Sequence, residues 1–353
     1  MTELFHEIYL ALRNGRELSV ATIISDSGST PRRSGSKMIV YPNGAISRTI
    51  GGGAVEGDVI QRALRRFETR GAEIASYDLT REANIDRMDL ICGGQVQILI
   101  EHVPATEQNI DLYHSAKEEL DKGRPFWWLG KLTGANGQLK VERAVHKPPD
   151  KFTGSPYLQP EFQKLLASDP RIPDGSCFIE FERSAYVIES IKPSPTLFLI
   201  GAGHVSREIG ALGHRIGYRT IVFDDRAEFA NAGRFPDADA VQVRPGFTEV
   251  FNGLRPRADD FIVIVTRGHR FDKEALGQAL KTKAGYIGMI GSRRKRETIY
   301  KKLIERGVSP ETLEQVQCPI GLPIDAQTPA EIAVSVVAQL IQHHARRRNH
   351  EDY

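Results

Sequence analysis

The chain has 353 residues, and its 47 lysines and arginines nearly balance 45 aspartates and glutamates, for a formal charge of +2. That length suggests two domains, or three; charge near balance speaks against a dedicated nucleic-acid binder, and no apolar run approaches the roughly 18–20 residues that span a bilayer. Cys92, Cys177 and Cys318 are too few and too scattered for a disulfide framework or a zinc site, and the first residues lack the basic-then-apolar pattern of a secretory leader, so a soluble cytoplasmic protein is expected.

In chain order, a helix is expected over residues 4–12 and a strand over 18–24. The loop from Ser25 to Gly35 leads to a strand over 37–41, and Pro42-Asn43-Gly44 has the composition of a hairpin turn. The triplet Gly51-Gly52-Gly53 then opens a helix over 55–68, followed by strands over 74–79 and, past Cys92-Gly93-Gly94, over 95–100. This reads as a mixed α+β unit. Residues 104–173 are softer, with a helix near 111–122, a strand near 126–132, and Pro148-Pro149 and Pro170 to Pro173 as punctuation. Pro193 and Pro195 disfavour helix and suit an extended linker. The boundaries expected are 1–190 and 194–345, with a polar tail over 346–353.

The second part alternates strand and helix: strands over 197–200, 220–223, 240–243, 261–265 and 286–290, and helices over 205–216, 273–281 and 293–306. The strand over 261–265 is apolar throughout, as a central parallel strand buried on both faces is. The alternation implies an open parallel sheet with helices on both faces. The helix over 205–216 is expected to bury Val205, Ile209, Leu212 and Ile216. Thr328-Pro329-Ala330-Glu331 reads as a capping box that starts a closing helix.

Gly201-Ala202-Gly203-His204 lies between a strand and a helix, the setting of a phosphate-binding turn. Asp225 follows the next strand, about 20 residues on, where a carboxylate reaches a ribose; Ser206 stands where a third glycine is usual. A tight turn without ligand is the plain alternative. Arg267 and His269 leave the buried strand at the edge where open parallel sheets place ligands. Ser292-Arg293-Arg294-Lys295-Arg296 sets cations against a helix dipole, at roughly 0.3–1 kcal/mol each; a bound anion reverses that sign, and a solvated charged face is the alternative. In the first unit, Gly51, Gly52, Gly53 and Glu56 form a second glycine loop at a helix start. Cys92 is read as a reactive thiol or soft metal ligand, and Cys177 as a small buried hydrophobe.

As a set, Gly28-Ser29-Thr30-Pro31-Arg32 with Gly35, Gly51-Gly52-Gly53 with Glu56, Cys92-Gly93-Gly94, Gly201 to His204, Asp224-Asp225-Arg226, Thr266 to His269, Tyr286 to Lys295, and Pro319-Ile320-Gly321-Leu322 with Thr328 to Glu331 resemble the XdhC/CoxI family, accessory proteins in the maturation of xanthine and carbon monoxide dehydrogenases. The likeness spans nearly the whole chain in the same order. It implies an N-terminal XdhC/CoxI domain and a C-terminal Rossmann-like, doubly wound domain. It also implies binding of molybdenum cofactor, as molybdopterin or its dinucleotide form, help in its sulfuration, and delivery to an apo molybdenum hydroxylase in concert with a cysteine desulfurase. A chaperone fits better than a catalyst with its own turnover. The competing readings are an NAD(P)-dependent oxidoreductase and a pure assembly scaffold; a homodimer is the general expectation for a soluble oligomer.

Overall fold

The computed structural model describes residues 1–79, 93–135, 138–148, 151–155, 158–168, 176–181 and 184–351. The chain forms two compact units, Met1–Pro193 and Ser194–Tyr353.

In the first unit one antiparallel sheet contains β1 (Leu18–Gly28), β2 (Lys37–Val40), β3 (Ile46–Arg48), β4 (Ala72–Asp78), β5 (Gly94–Val103), β6 (Phe126–Ala135), β7 (Gln138–Lys147), β8 (Lys151–Gly154), β9 (Ser176–Phe181) and β10 (Ser184–Ile191). Its order is β3-β2-β1-β5-β4-β7-β6-β10-β9, with β8 paired to β7. Alternation along β1 places Leu18 and Val20 against α1 (Thr2–Arg13) and α3 (Glu107–Asp121), and Ala21 and Ile23 against α2 (Gly53–Thr69); both faces are covered, so the strand is buried from Leu18 to Ile24. The expected turn at Pro42 to Gly44 joins β2 and β3, with the Tyr41 amide on the Ala45 carbonyl at 2.9 Å. A fourth helix, α4 (Leu158–Ser168), packs on β6, β7 and β10 through Leu158, Phe162 and Leu165.

The sheet curls. Ile24 of β1, Leu99 of β5, Leu132 of β6 and Val187 of β10 share one apolar cluster although four strands separate β1 from β10. Across the curl Lys37 donates to both carboxylate oxygens of Glu189, at 2.7 and 2.8 Å, and to the Thr22 hydroxyl at 3.1 Å. A second buried pair, Arg143 with Glu101, lies close enough for its charges to act on Lys37. None of these four residues stands out in the sequence.

In the second unit β11 (Thr196–Ile200), β12 (Arg219–Asp224), β13 (Ala240–Val243), β14 (Phe261–Ile264) and β15 (Tyr286–Met289) form a wholly parallel sheet in the order β13-β12-β11-β14-β15. Leu197 and Leu199 face α5 (His204–Arg215) and α9 (Pro329–Glu351), whereas Phe198 and Ile200 face α6 (His269–Ala279) and α7 (Arg293–Ile304). A short helix, α8 (Pro310–Glu314), completes the second layer. The expected fold class holds: an antiparallel α+β unit followed by a Rossmann-like parallel sheet.

Three details differ from the sequence reading. Val205, Ile209 and Leu212 of α5 pack on the apolar cluster of the sheet as expected, together with the buried Ser206, Gly210 and Gly213, whereas Ile216 is exposed. A Cβ on Gly213 would stand 2.7 Å from Leu197 Cδ2, and one on Gly210 3.3 Å from Leu199 Cδ1. The two glycines let the helix axis sit closer to the sheet than a leucine stripe permits. Residues 104–173, read as softer, hold the expected helix and strand as α3 and β6, and in addition α4 and the strands β7 and β8 of the first sheet. The residues read as a polar tail continue α9 as far as Glu351.

Candidate functional site

Parallel strands all leave the sheet at one edge, so the loops after β11, β12, β14 and β15 share it. Between β11 and β14 the chain turns to opposite faces, into α5 and into α6. Such a reversal opens a crevice at the carboxyl ends of the two strands. Gly201 lies at its floor with φ +108°, and a Cβ there would meet the Val265 carbonyl oxygen at 2.5 Å and Thr266 Cα at 3.0 Å; only glycine lets the two loops touch. Gly203 is the contrast. A Cβ on it meets nothing within 4 Å, so its backbone faces open space at the start of α5.

The adjacent acids divide their work. Asp224 is buried; its carboxylate accepts the Ala202 amide at 2.8 Å and the Arg226 guanidinium at 2.9 and 3.2 Å. Burial pushes that carboxyl up, but the Arg226 and backbone hydrogen bonds outweigh burial and hold it below the usual carboxylate range. Asp224 therefore fixes the glycine turn, a role the sequence reading missed. Asp225 points the other way and accepts from Arg267 Nη2 at 2.7 Å. Arg267 also lies over the Phe271 ring, 4.8 Å from its centroid.

His204 and His269 occupy the first turns of α5 and α6 and are exposed. Asp272 lies a turn inside α6. Its buried carboxylate accepts the Thr266 hydroxyl at 2.7 Å and pairs with Lys295, whose ammonium also donates to the Ile290 carbonyl at 3.1 Å. Burial pushes the Asp272 carboxyl up, opposed by Lys295 and Thr266. The run of four cations thus splits. Lys295 turns inward to tie the loops after β14 and β15, Arg296 donates to the Cys318 carbonyl at 3.2 Å, and Arg293 and Arg294 remain exposed, with no ion pair among the described residues.

Helix starts sort by their caps. Side-chain hydroxyls cap α3 (Thr106), α7 (Ser292) and α8 (Ser309), and Thr328 with Glu331 closes the expected box on α9. Ser292 accepts the Lys295 amide of its own helix at 3.2 Å. No side chain caps α1, α2, α5 or α6; the last two begin at the crevice. Their first amides and the positive end of each dipole are offered to whatever enters.

In the first unit Gly51, Gly52 and Gly53 all have positive φ. Glu56 Oε2 accepts the Thr49 hydroxyl and the Ile50 and Gly52 amides, the latter two at 3.1 Å each, and so closes the loop. A Cβ on Gly51 would lie 3.0 Å from Pro31, and one on Gly28 2.8 Å from the Gly93 carbonyl; the loop after β1 touches both other glycine segments. Cys92 lies outside the described residues. Cys177 is only half-buried, packed beside α4 rather than wholly enclosed. Burial pushes the buried Cys318 thiol up, away from thiolate character.

The strand order, the glycine turn and the crevice define the second unit as a Rossmann-type domain preceded by an antiparallel unit. The chain matches the XdhC Rossmann domain over residues 197–340 and the XdhC and CoxI family over residues 11–78, and it belongs to the XdhC/CoxI family. It is 27% identical to a probable xanthine dehydrogenase subunit of Bacillus subtilis, across 96% of this chain and 97% of that one. It is 26% identical to Escherichia coli YqeB over 92% of its own length but spans only 43% of that protein. It is 22% identical to the Escherichia coli molybdenum cofactor insertion chaperone PaoD, over 94% of this chain and 84% of that one. A crystal structure described as a xanthine dehydrogenase from Bacillus halodurans superposes with a TM-score of 0.79 at 26% identity, covering 97% of this chain and 96% of the other.

Proposed function

We propose that this chain is an accessory protein that binds molybdenum cofactor in the crevice of its second unit and hands it, after assisted sulfuration, to an apo molybdenum hydroxylase of the xanthine dehydrogenase type. The observation that carries this reading is the pair of uncapped helix starts at the crevice, beside the open backbone of Gly203. The relatives named for xanthine dehydrogenase and for cofactor insertion support it. The cofactor brings a phosphate or pyrophosphate and a metal with oxo and sulfido ligands. Amides at Gly203 and His204 and the Arg267 guanidinium suit the phosphate; His204, His269, Arg293 and Arg294 are exposed donors on the same edge, able to orient the metal's oxygen ligands. The chain's part is to bind, orient and release. A cysteine desulfurase is the expected source of sulfur.

The test is anaerobic reconstitution: protein, cofactor, desulfurase and a purified apo-hydroxylase, with the sulfurated fraction of the hydroxylase as readout. The wild type should raise that fraction and the Arg267→Ala/His269→Ala double variant should not. No rise with wild-type protein that has retained cofactor overturns the reading. An NAD(P)-dependent oxidoreductase is the second reading, favoured by Asp225 in the ribose-binding place. Calorimetry with NAD(H) and NADP(H) separates the two, since tight binding with turnover belongs only to the second.

A further inference from the structure

The antiparallel sheet of the first unit has a gap. β4 and β7 meet at one register pair, Ala72 with Leu139. Before that pair the chain turns out of the sheet at Arg70 and Gly71, both with positive φ, 61° and 65°. β7 runs on, and its next partner on that side is β8, from Ala144 to Lys147. Lys140 to Arg143 therefore have β6 on one side and, among the described residues, no strand on the other. Across the gap β5 continues to Val103. The opening is one strand wide and four residues long, about 13 Å at the rise of a strand. A cleft of about 500 Å³ occupies it, walled by β5, β7 and the first half of α3 and ended by Gly71 and Ser155.

The β7 wall presents main chain. A Cβ on Gly71 would lie 2.7 Å from the Leu139 carbonyl oxygen, and the Arg143 carbonyl accepts the Ser155 amide at 3.3 Å, so both carbonyls face the gap. Val141 lies between them at the same strand phase, and its N–H and C=O face the gap too; neither has a hydrogen bond among the described residues. From α3 the buried Tyr113 brings a hydroxyl that also makes no hydrogen bond among the described residues. Polar groups left open on the wall of a preformed cleft are what fix a ligand's orientation. The charged side chains of the lining compensate one another, Arg143 with Glu101 and Lys140 with Glu142, and burial pushes the His102 imidazole down. Val103, Pro104 and Leu112 supply apolar wall. An uncharged, flat guest matches this balance. A residue that offers N–H and C=O side by side is complementary to an edge that sets an acceptor beside a donor, as the lactam of a purinone or a pterin does. A peptide strand carries the same groups, but Gly71 and Ser155 close both ends of the gap and leave a continuing chain no path.

We propose that the gap between β5 and β7 binds an uncharged planar heterocycle by its lactam edge, the ring N–H donating to the Val141 carbonyl and the ring C=O accepting the Val141 amide, while the Tyr113 hydroxyl holds a second polar atom of the ring. The site belongs to the first unit and does not rest on the cofactor reading of the crevice in the second.

The experiment is calorimetric titration of the full-length protein with hypoxanthine and with pterin, each beside the form methylated on its lactam nitrogen, 1-methylhypoxanthine and 3-methylpterin. Methylation should cost about tenfold in affinity, the scale of the hydrogen bonds it removes. A response to hypoxanthine alone, to pterin alone or to both supports the site and names the source of its ligand. Tyr113→Phe should weaken binding about fivefold; its melting temperature should stay within a few degrees of wild type, because the hydroxyl has no partner in the protein to lose. Hydrogen exchange should slow at the Val141 amide when the ligand is bound and stay unchanged at 203–206. The site is overturned if neither parent compound binds at millimolar concentration, if the methylated forms bind as tightly as their parents, if Tyr113→Phe binds like wild type, or if protection falls on 203–206 and not on Val141.

Discussion

Lys37–Glu189 and Arg267–Asp225 have the same 2.7 Å separation and opposite surroundings. The first pair is almost wholly enclosed in the curled antiparallel sheet; the arginine of the second is 41% exposed at the edge of the parallel sheet. Enclosure raises the cost of separating charges, whereas solvent lets them part and exchange partners at little cost. The comparison teaches that contact distance does not assign a role: burial makes one pair part of the framework and exposure leaves the other available for binding.

The largest effect belongs to the enclosed pair. Glu189→Ala leaves Lys37 uncompensated and should cost about 3–5 kcal/mol in urea unfolding, while the joint change Lys37→Met/Glu189→Leu should recover most of that loss; a cost below about 1 kcal/mol for the single variant breaks the contrast, because exposed pairs have that value. Next come the two glycines of the crevice turn. Gly201→Ala forces a side chain into φ +108° and against the Val265 carbonyl, and should destabilise by roughly 1–3 kcal/mol. Gly203→Ala, at φ −72° with open space around it, should change stability by less than about 0.5 kcal/mol yet weaken cofactor binding, since its methyl group occupies the ligand's approach. Equal melting temperatures for the two variants contradict this division.

A smaller effect, present in both units, depends on pH. Burial, with help from Arg347 and Arg346, pushes the His343 imidazole below its ordinary 6.5. Its ring packs on Phe261 and Tyr286 in the second unit. Below pH 6.5 the unfolded chain takes up a proton that the folded one resists, so this contribution is complete above 6.5 and is lost as pH falls toward the lower folded value. His102 in the first unit is shifted in the same direction, by burial against its bond to Glu17. Thermal unfolding from pH 7.5 to 5 should therefore show a stability decline that His343→Gln makes shallower; an unchanged slope assigns the decline elsewhere.

The parallel unit was the more legible in sequence. Apolar strands such as residues 261–264, glycine turns and the capping box at Thr328 are local signals, and each produced the element expected. Tertiary packing decided the rest. Whether Asp224 or Asp225 faces the turn depends on strand phase at the end of β12, and the inward path of Lys295 depends on Asp272 across the neighbouring loop; neither spacing announces the partner. On α5 the expected stripe fails only at Ile216, and apolar periodicity overlooks Gly210 and Gly213, which close approach to Leu197 and Leu199 selects. In the antiparallel unit Lys37, Glu101, Arg143 and Glu189 are far apart in sequence and meet only because the sheet curls.

Hydrogen exchange of the full-length protein, with and without molybdenum cofactor under anaerobic conditions, tests the central claim most directly. Binding in the crevice predicts slower exchange of the amides at 203–206 and 268–271, the uncapped starts of α5 and α6, with 293–295 at the capped start of α7 less affected. Unchanged exchange at the first two segments in protein that demonstrably holds the cofactor, or protection confined to residues 49–56, contradicts it.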